Sequence, residues 1–318
     1  MPVFNQETKG EEVINAFPEA VRGKTFLITG PSSGGLGAET ATALAAVGPA
    51  RLILVGRSAE KMQPVVAAIE NAAPTKTEVN TFVADFDSIA SIRSVAQSIL
   101  ADDSIKTIDG IVNNVGVMGI VEYNVTQDGI EEHLGVNHIS HFLLTNLLLP
   151  RLADQGRIVN LSSYAHLFAN LNSEDATFAN GKTYNPWEAY AASKTANILF
   201  AVELNRRFGS RLRAFAVNPG AINTQLRRHM TPETMKSGML IHQKNKVAKP
   251  EPKTMEQGIA TGLRALLDPE LTTEHGVYMD DCKVVSDSKN LAQYAIDPEN
   301  ARQCWSLSET LVKEQFSA

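Results

Sequence analysis

Short runs of apolar residues alternate with longer amphipathic or alanine-rich stretches through most of the chain. The apolar runs predict β-strands at 25–29, 51–55, 78–84, 109–112, 156–161 and 212–217. The stretches between them predict helices at 38–47, 62–71, 89–100, 129–152 and 187–208. Strands that alternate with helices form βαβ units, whose right-handed crossovers cover both faces of a parallel sheet. The pattern therefore predicts an α/β fold, a Rossmann-type doubly wound parallel sheet.

Nothing in the chain has the composition of a linker, and its 318 residues suit one α/β domain. With 43% hydrophobic and 20% charged residues, the composition is that of an ordinary globular protein. We therefore expect a single domain over 1–318. Its least regular part, 225–254, is rich in basic residues and is either a solvated excursion or a mobile lid over the substrate. The tail, 286–318, predicts a helix packed against the sheet.

Charge and cysteine content exclude several classes of protein. The net charge is −6, and no block of Lys and Arg offers the basic surface that DNA or RNA requires. Cys282 and Cys304 form no CxxC pair, which excludes a disulfide scaffold and a cysteine-based zinc site. His138 and His141 are spaced for one helix face but have no carboxylate beside them. We expect no metal and no nucleic-acid partner.

The beginning of the sequence is polar and mixed in charge, unlike a secretion signal. The most apolar stretch, 142–149, is far shorter than the ~20 residues of a membrane-spanning helix. We therefore expect a cytoplasmic protein with no membrane span.

A glycine-rich loop, TGPSSGGLG at 29–37, follows the first predicted strand and opens the first long helix. Glycine lets the backbone approach a pyrophosphate, and the amides at a helix N-terminus attract its charge. Turns use glycine as well, but this loop lies between strand and helix at the start of a βαβ series. It predicts a dinucleotide site.

The end of the second strand indicates which dinucleotide binds. NAD-binding folds place an Asp or Glu there to hold the ribose 2′-hydroxyl. This strand ends Val55-Gly56-Arg57 and has no acid. Arg57 suits a 2′-phosphate, although a solvated arginine at a strand end is also common. We therefore predict NADP(H) rather than NAD(H).

Tyr190 and Lys194 are spaced i, i+4 and share one face of a predicted helix. A phenol normally loses its proton near pH 10, and a neighbouring ammonium group lowers that pKa towards the working range. Ser163 ends the strand that precedes this helix and offers a hydroxyl at the same edge of the sheet. These three residues predict acid–base chemistry.

In their order and spacing, these motifs resemble the short-chain dehydrogenases/reductases over about 23–285. The matching segments are TGPSSGGLG at 29–37, ADF at 84–86, NNVG at 113–116, VNH at 136–138, VNLSS at 159–163, YAASK at 190–194 and NPGAINT at 218–224. The region around 189–204 is similar to the retinol dehydrogenase and WW-domain oxidoreductase branch. The opening of the chain resembles soluble fungal members of that branch.

The resemblance assigns roles to four catalytic residues. Tyr190 would donate a proton to the carbonyl oxygen, and Lys194 would lower its pKa and hold the ribose of the nicotinamide. Ser163 would orient the carbonyl, and Asn137 would hold a water that relays protons from Lys194 to solvent. The hydride comes from the cofactor.

The same resemblance assigns the cofactor site. Asp85 would meet the adenine amine, the Asn114 backbone the adenosine ribose, and Ile222 and Thr224 the nicotinamide carboxamide. The full set of cofactor residues is Gly30, Ser32, Ser33, Gly35, Leu36, Gly37, Arg57, Asp85, Asn114, Val115, Gly116, Tyr190, Lys194, Pro219, Gly220, Ile222 and Thr224.

The chain departs from the family pattern in three ways. Its glycines read G-x4-G-x-G rather than G-x3-G-x-G, so we expect Gly34 to absorb the extra residue, and either Ser32 or Ser33 faces phosphate. Val115 replaces alanine in NNAG and crowds the cofactor slightly. A long insert, 164–186, separates Ser163 from Tyr190 near the helix face that many relatives use to form tetramers. We therefore expect a monomer or a homodimer.

The candidate substrate pocket is apolar and aromatic, with Met118, His166, Tyr184, Trp187 and Met239 as its expected lining. The expected function is NADP(H)-dependent interconversion of a hydrophobic ketone or aldehyde and an alcohol. Two alternatives stay open: a non-catalytic NADP(H)-binding sensor or scaffold, because folds do not fix function, and an epimerase or dehydratase on the same scaffold.

Overall fold

A computed structural model describes residues 3–226, 230–248, 250–271 and 276–317. The strands are β1 (Thr25–Thr29), β2 (Arg51–Gly56), β3 (Glu78–Val83), β4 (Ile108–Asn113), β5 (Leu152–Leu161), β6 (Leu212–Val217), β7 (Ala221–Ile222), β8 (Pro252–Lys253), β9 (Tyr278–Asp280) and β10 (Lys283–Val284). The α-helices are α1 (Gly10–Ala16), α2 (Leu36–Ala45), α3 (Ala59–Ala72), α4 (Ile89–Ala101), α5 (Glu132–Leu134), α6 (Ser140–Leu148), α7 (Pro186–Phe208), α8 (Pro232–Lys244), α9 (Met255–Leu267) and α10 (Pro298–Val312).

Eight of these strands form one sheet in the order β3-β2-β1-β4-β5-β6-β9-β10. All neighbours pair in parallel except β9 and β10. The chain builds outwards from β1 to β3 and then returns to place β4 on the other side of β1. The predicted doubly wound sheet is confirmed, and its strand order reverses between β1 and β4.

Alternate residues of the central strands supply two hydrophobic layers, one on each face of the sheet. In β1, Leu27 packs in the layer that includes α4, α6 and α7, whereas Phe26 and Ile28 pack in the layer that includes α1, α2 and α9. Because both faces are buried, the strands are almost continuously apolar, and this explains why their positions follow from the sequence.

The predicted helix over 129–152 is wrong in its details. Gly129 has a left-handed φ of +78°, so the helical region begins only at Glu132. Gly135–Ile139 then form a π-helical segment before α6, and β5 already begins at Leu152. Such π segments are frequent at functional sites.

The predicted helix in the tail exists as α10, but it packs on α7 rather than on the sheet. Its Trp305 is fully buried, with ring centroids 4.9 Å from Phe142 and 5.9 Å from Phe200. Both faces of the sheet are already covered by other helices, so α10 adds an outer layer.

A separate parallel pair, β7 and β8, closes the base of the segment predicted as a lid. Helix α8 lies between them in the chain. It is anchored by the indole of Trp187, whose Nε1 donates to the Thr234 carbonyl of α8 at 3.0 Å. Gly238 faces the same indole, since an added Cβ would lie 2.6 Å from Trp187 Cζ2. The basic residues Arg227, Arg228 and Lys249 of this segment lie outside the described residues.

Candidate active site

The candidate site is a cleft of about 1930 Å³ along the carboxyl edge of the sheet. It opens where the strand order reverses, between the ends of β1 and β4, which is where α/β sheets bind ligands. Typical small-molecule pockets are roughly 300–1,000 Å³. The cleft therefore has room for a dinucleotide and a second molecule.

The glycine loop forms one end of the cleft. Gly30 and Gly34 both have left-handed φ values, +67° and +72°. No atom of the described residues lies within 4 Å of a Cβ added at Gly34, so this position needs glycine because of its left-handed backbone and not because space is short. Gly34 thus forms a turn within the part of the loop that is one residue longer than the family pattern.

Helix α2 begins at Leu36, two residues earlier than predicted, and its N-cap Gly35 supplies no capping side chain. By contrast, Ser58 caps α3 and Ser88 caps α4 with their hydroxyls. An uncapped N-terminus leaves backbone amides available at the positive end of the helix dipole. The end of α2 therefore fits a pyrophosphate.

Gly37 is buried behind the loop rather than on the wall of the cleft. A Cβ there would lie 2.7 Å from both the Gly30 carbonyl oxygen and Asn114 Nδ2. The Asn114 amide group in turn donates to the Thr29 carbonyl at 2.8 Å. Gly37 and Asn114 thus allow α2, β1 and β4 to meet closely and hold the loop in shape.

Arg57 and Lys61 lie on the rim of the cleft beside Ser32 and Ser33, which both line it. Both cations are exposed, and neither forms an ion pair within the described ranges. Lys61 was missed by the sequence reasoning. Ser58 could have pointed to it, because a serine in this position typically caps a helix and so places Lys61 on the first turn of α3. The Ser58 hydroxyl indeed accepts from the Lys61 amide at 3.3 Å.

Asp85 lines the next part of the cleft, with its carboxylate already engaged. It accepts from the Asp87 amide at 3.2 Å and from Gln127 Nε2 at 3.1 Å. These bonds fix the carboxylate at the end of the cleft occupied by Arg57. The walls beyond it are formed by Asn114, Val115 and Gly116.

Ser163, Tyr190 and Lys194 line the middle of the cleft. Ser163 follows β5, and its Oγ accepts from the Ala165 amide at 3.1 Å, which leaves its hydroxyl proton for another acceptor. Lys194 Nζ donates to the Leu161 carbonyl at 2.9 Å and lies 5.7 Å from the centroid of the Tyr190 ring. The predicted acid–base residues are therefore brought together.

Burial dominates the ionisation of both titratable groups. It raises the pKa of Tyr190, opposed in part by a hydrogen bond with the Ser163 side chain, and it lowers the pKa of Lys194 to about 8. Lys194 donates to a carbonyl rather than to the phenol, so its effect on the phenol pKa would act through its charge from 5.7 Å and stays a prediction. Tyr190 is protonated at neutral pH.

Asn137 lies in the π-helical segment and is buried behind the cleft. Its Oδ1 accepts from the Val117 amide at 2.7 Å, and its Nδ2 donates to the Val117 carbonyl and to Ser193 Oγ. A Cβ added at Gly116 would lie 3.3 Å from Asn137 Oδ1 and 3.6 Å from Lys194 Nζ. A side chain at Gly116 would therefore be tight against Asn137 but not against Lys194.

The remaining cofactor candidates, Pro219, Gly220, Ile222 and Thr224, line the cleft beyond Lys194. Gly220 has a left-handed φ of +91°, and a Cβ there would lie 2.6 Å from Lys253 Cδ. Lys253 forms an ion pair with Asp281. The loop after β6 is therefore held between the sheet and the base of the segment that carries α8.

Three of the five expected pocket residues, Met118, Trp187 and Met239, line the cleft. The other two were wrong. His166 is fully buried, its Nδ1 donates to the Ser163 carbonyl at 2.7 Å, and burial lowers its pKa to about 4. Tyr184 points away, with its hydroxyl donating to the Ile120 carbonyl at 2.9 Å.

The sequence reasoning missed other parts of the wall, namely Tyr164, Phe168, Met230 and Met235. The ring of His242 on α8 packs against Tyr164 and Phe168, with centroid distances of 5.3 and 4.9 Å. The insert and α8 therefore share an aromatic contact over the cleft. Of these residues, Tyr164 could have been predicted from the sequence, because it directly follows the candidate catalytic Ser163.

The comparisons with known proteins agree with this arrangement. The sequence profile of the short chain dehydrogenase family matches residues 24–234. Short-chain dehydrogenase/reductase prx1 of Penicillium roqueforti is 35% identical over 302 residues, covering 91% of this chain and 84% of the relative. Retinol dehydrogenase 12 of Mus musculus is 36% identical over 300 residues, covering 93% and 88%. The chain belongs to the short-chain dehydrogenase/reductase family of oxidoreductases, and the predicted resemblance is confirmed.

Solved structures share the fold. A protein of Mycobacterium paratuberculosis superposes with a TM-score of 0.70 and 32% identity, covering 93% of this chain and 96% of its own. A short chain dehydrogenase of Escherichia coli CFT073, solved in complex with NADPH, gives a TM-score of 0.60 at 24% identity, covering 84% and 99%. Among the helices of the described ranges, none is both long and apolar enough to cross a bilayer.

Proposed function

We propose that the protein is an NADP(H)-dependent oxidoreductase that interconverts a hydrophobic ketone or aldehyde and its alcohol. The observation that carries this proposal is the grouping of Ser163, Tyr190 and Lys194 in the middle of one cleft whose far end is the glycine loop. That grouping suits carbonyl chemistry beside a dinucleotide.

The cofactor is NADP(H). Three features support it: the uncapped N-terminus of α2, the close approach allowed by Gly30 and Gly37, and the cations Arg57 and Lys61 at the rim. An arginine where NAD-binding folds carry an acid pairs with a 2′-phosphate. The fold neighbour from Escherichia coli was solved with NADPH.

The cofactor supplies the hydride when bound, and the residues of the chain manage the proton. Tyr190 is protonated at neutral pH, as a phenol ordinarily is, and burial raises its pKa further, so it is the group that can act as the general acid towards the carbonyl oxygen. Ser163 Oγ accepts from the Ala165 amide, which orients the side chain and leaves its hydroxyl proton to be donated to the same oxygen. Together they stabilise the charge that develops on that oxygen.

Lys194 holds the ribose next to the nicotinamide. Its Nζ uses one N–H on the Leu161 carbonyl, and an ammonium group has two further donors for ribose hydroxyls. With its pKa lowered to about 8 by burial, it remains mostly charged at neutral pH. Asn137, joined to Ser193 and Val117, keeps this part of the site in place.

The substrate is a hydrophobic carbonyl compound. Beside the catalytic residues the cleft is lined by Met118, Trp187, Met230 and the Met235 and Met239 side chains of α8. Thioethers and an indole bury apolar groups and adapt to different shapes. We propose further that the chain forms a single domain in which α8 is the lid over the substrate, and that it acts as a monomer or a homodimer.

The first test is a thermal-shift titration with NADPH and NADH side by side, followed by NADPH oxidation with a panel of hydrophobic ketones and aldehydes. We expect NADPH to stabilise at a far lower concentration than NADH, because a ligand of the native state raises the Tm once its concentration exceeds Kd. Tyr190→Phe should abolish turnover while NADPH still stabilises the protein. Stabilisation without turnover across the panel would favour a binding protein instead.

A further inference from the structure

A pair of ionisable side chains is buried directly behind Tyr190. Glu131 and His133 are 2% and 0% exposed, and Glu131 Oε1 lies 2.8 Å from His133 Nδ1. The other carboxylate oxygen of Glu131 accepts from the Leu134 amide at 2.8 Å. Removing two such groups from water is costly, and apolar residues of similar size often pack as well. The proposed mechanism gives this pair no role.

The pair connects three segments around the cleft. Glu131 forms a backbone bridge with Val125, at the end of the loop that starts from the NNVG motif. The Tyr184 hydroxyl lies 3.4 Å from His133 Nδ1 and donates to the Ile120 carbonyl. The charge of Glu131 also contributes, after burial, to the raised pKa of Tyr184. The insert, the loop after β4 and α5 thus meet at His133.

From this position His133 contacts Tyr190 itself. The two rings lie edge to face, with centroids 6.0 Å apart and planes at 68°. Because Nδ1 points at the carboxylate, the orientation of the imidazole ring is fixed. His133 Nε2 is buried and has no hydrogen-bond partner among the residues that the structure describes.

We propose that the Glu131–His133 pair is a positioning element for Tyr190. Glu131 holds the imidazole, and the imidazole holds the edge of the phenol ring, so that the hydroxyl stays between Ser163 and the substrate oxygen. This inference rests on the proposed function. A displacement of about 1 Å at a reacting group can cost roughly 100-fold in rate, which makes a rigid backing worth its cost.

The test compares His133→Gln, which keeps a donor for Glu131 but removes the ring, with Glu131→Gln. The new amide oxygen can accept from the Leu134 amide and its NH2 can donate to His133 Nδ1 once the imidazole carries its proton on Nε2, so the ring is still held. Glu122→Gln removes an exposed carboxylate from the same loop and is the control. For His133→Gln we expect kcat to fall at least about tenfold, with the substrate KM and the NADPH Kd within about twofold and a larger solvent isotope effect. Glu131→Gln should retain most of kcat.

Crystal structures of wild type and His133→Gln provide a readout that needs no turnover. We expect the Tyr190 ring to be displaced or to take two conformations in the variant. If His133→Gln does not fold, Tyr184→Phe, which removes only the hydroxyl beside His133, should show a smaller fall in kcat of the same kind. An unmoved Tyr190 with unchanged kcat overturns the inference. A displaced Tyr190 in a protein that reduces no carbonyl supports the inference and rejects the proposed function.

Discussion

The Thr29 hydroxyl lies 2.9 Å from His141 Nε2 and joins the end of β1 to α6 beneath the glycine loop. His141 Nδ1 faces the Asn137 carbonyl at 3.1 Å, so it carries the proton and Nε2 accepts from Thr29. The same hydroxyl oxygen accepts from the amides of Asn114 and Val115 at 2.8 and 3.1 Å. One side chain thus connects the cofactor loop, the NNVG motif and the segment that contains Asn137.

Replacing Thr29 by valine should weaken both the fold and cofactor binding. The change preserves shape but removes the partner of the buried His141 nitrogen and of two amides on the wall of the cleft. We expect a loss of about 1–3 kcal/mol in the free energy of unfolding, the cost of one buried group left unpaired, and weaker NADPH binding, measured by urea unfolding and thermal shift. Thr25→Val, at the other end of the same strand, is the control. Equal stability of the two variants would contradict this role.

Arg57→Ala should reduce the preference for NADPH. Losing a charge-assisted contact costs about 1.5–3 kcal/mol, which is roughly a 10- to 100-fold weaker NADPH affinity, whereas NADH affinity should change little. Titration calorimetry with both dinucleotides measures this. Arg302→Ala, which removes an arginine on α10, should behave like wild type. A parallel loss for NADPH and NADH would reject the 2′-phosphate contact.

Gly238→Ala should affect the substrate but not the cofactor. The added methyl group would lie 2.6 Å from the Trp187 ring and push α8 away from its anchor. We expect the substrate KM to rise several-fold and the NADPH Kd to stay constant. Gly262→Ala in α9 is a matched control, because among the described residues its Cβ would meet only Val217, at 3.9 Å. Unchanged KM in Gly238→Ala would show that α8 does not contact the substrate.

The protein should lose stability as the pH falls from about 6.5 towards 4. Burial lowers the pKa of His138 and His166 to about 4 and that of His141 to about 3. The unfolded chain binds protons at these histidines below its ordinary pKa of about 6.5, whereas the folded protein does not. Each histidine therefore lowers the free energy of unfolding by up to about 1.4 kcal/mol per pH unit in this window.

Urea midpoints measured at half-unit steps of pH would reveal this slope. His138→Gln should reduce the slope by the contribution of one proton. A midpoint that stays constant between pH 6.5 and 5 would show that these histidines are protonated in the folded state.

The sequence was most informative where function depends on local pattern. The apolar runs located β1 and β6 to the residue, and the spacing of Tyr190 and Lys194 placed both on one face of α7. The π-helical segment was not predictable, because its sequence favours a continuous helix and the break depends on packing around Asn137. Contacts between distant segments were also missed, such as the pairing of His133 with Tyr190. The prediction that His166 lines the pocket was wrong for the same reason: the ring of Tyr278, distant in sequence, packs on it with the centroids 4.6 Å apart.

The pairing of Ala221 with Pro252 and of Ile222 with Lys253 ties together the two ends of the segment that carries α8. Once the ends are tied, the cost of closing the loop depends only weakly on its length, at about 0.6 kcal/mol for each doubling. Residues between Thr224 and β8 can therefore vary in sequence and length while the sheet, the cofactor site and the catalytic residues stay in place. The residues that catalyse the reaction and those that contact the substrate thus lie on separate parts of the chain. Grafting the segment that carries α8 from a relative should therefore change the substrate range without disturbing the catalytic residues.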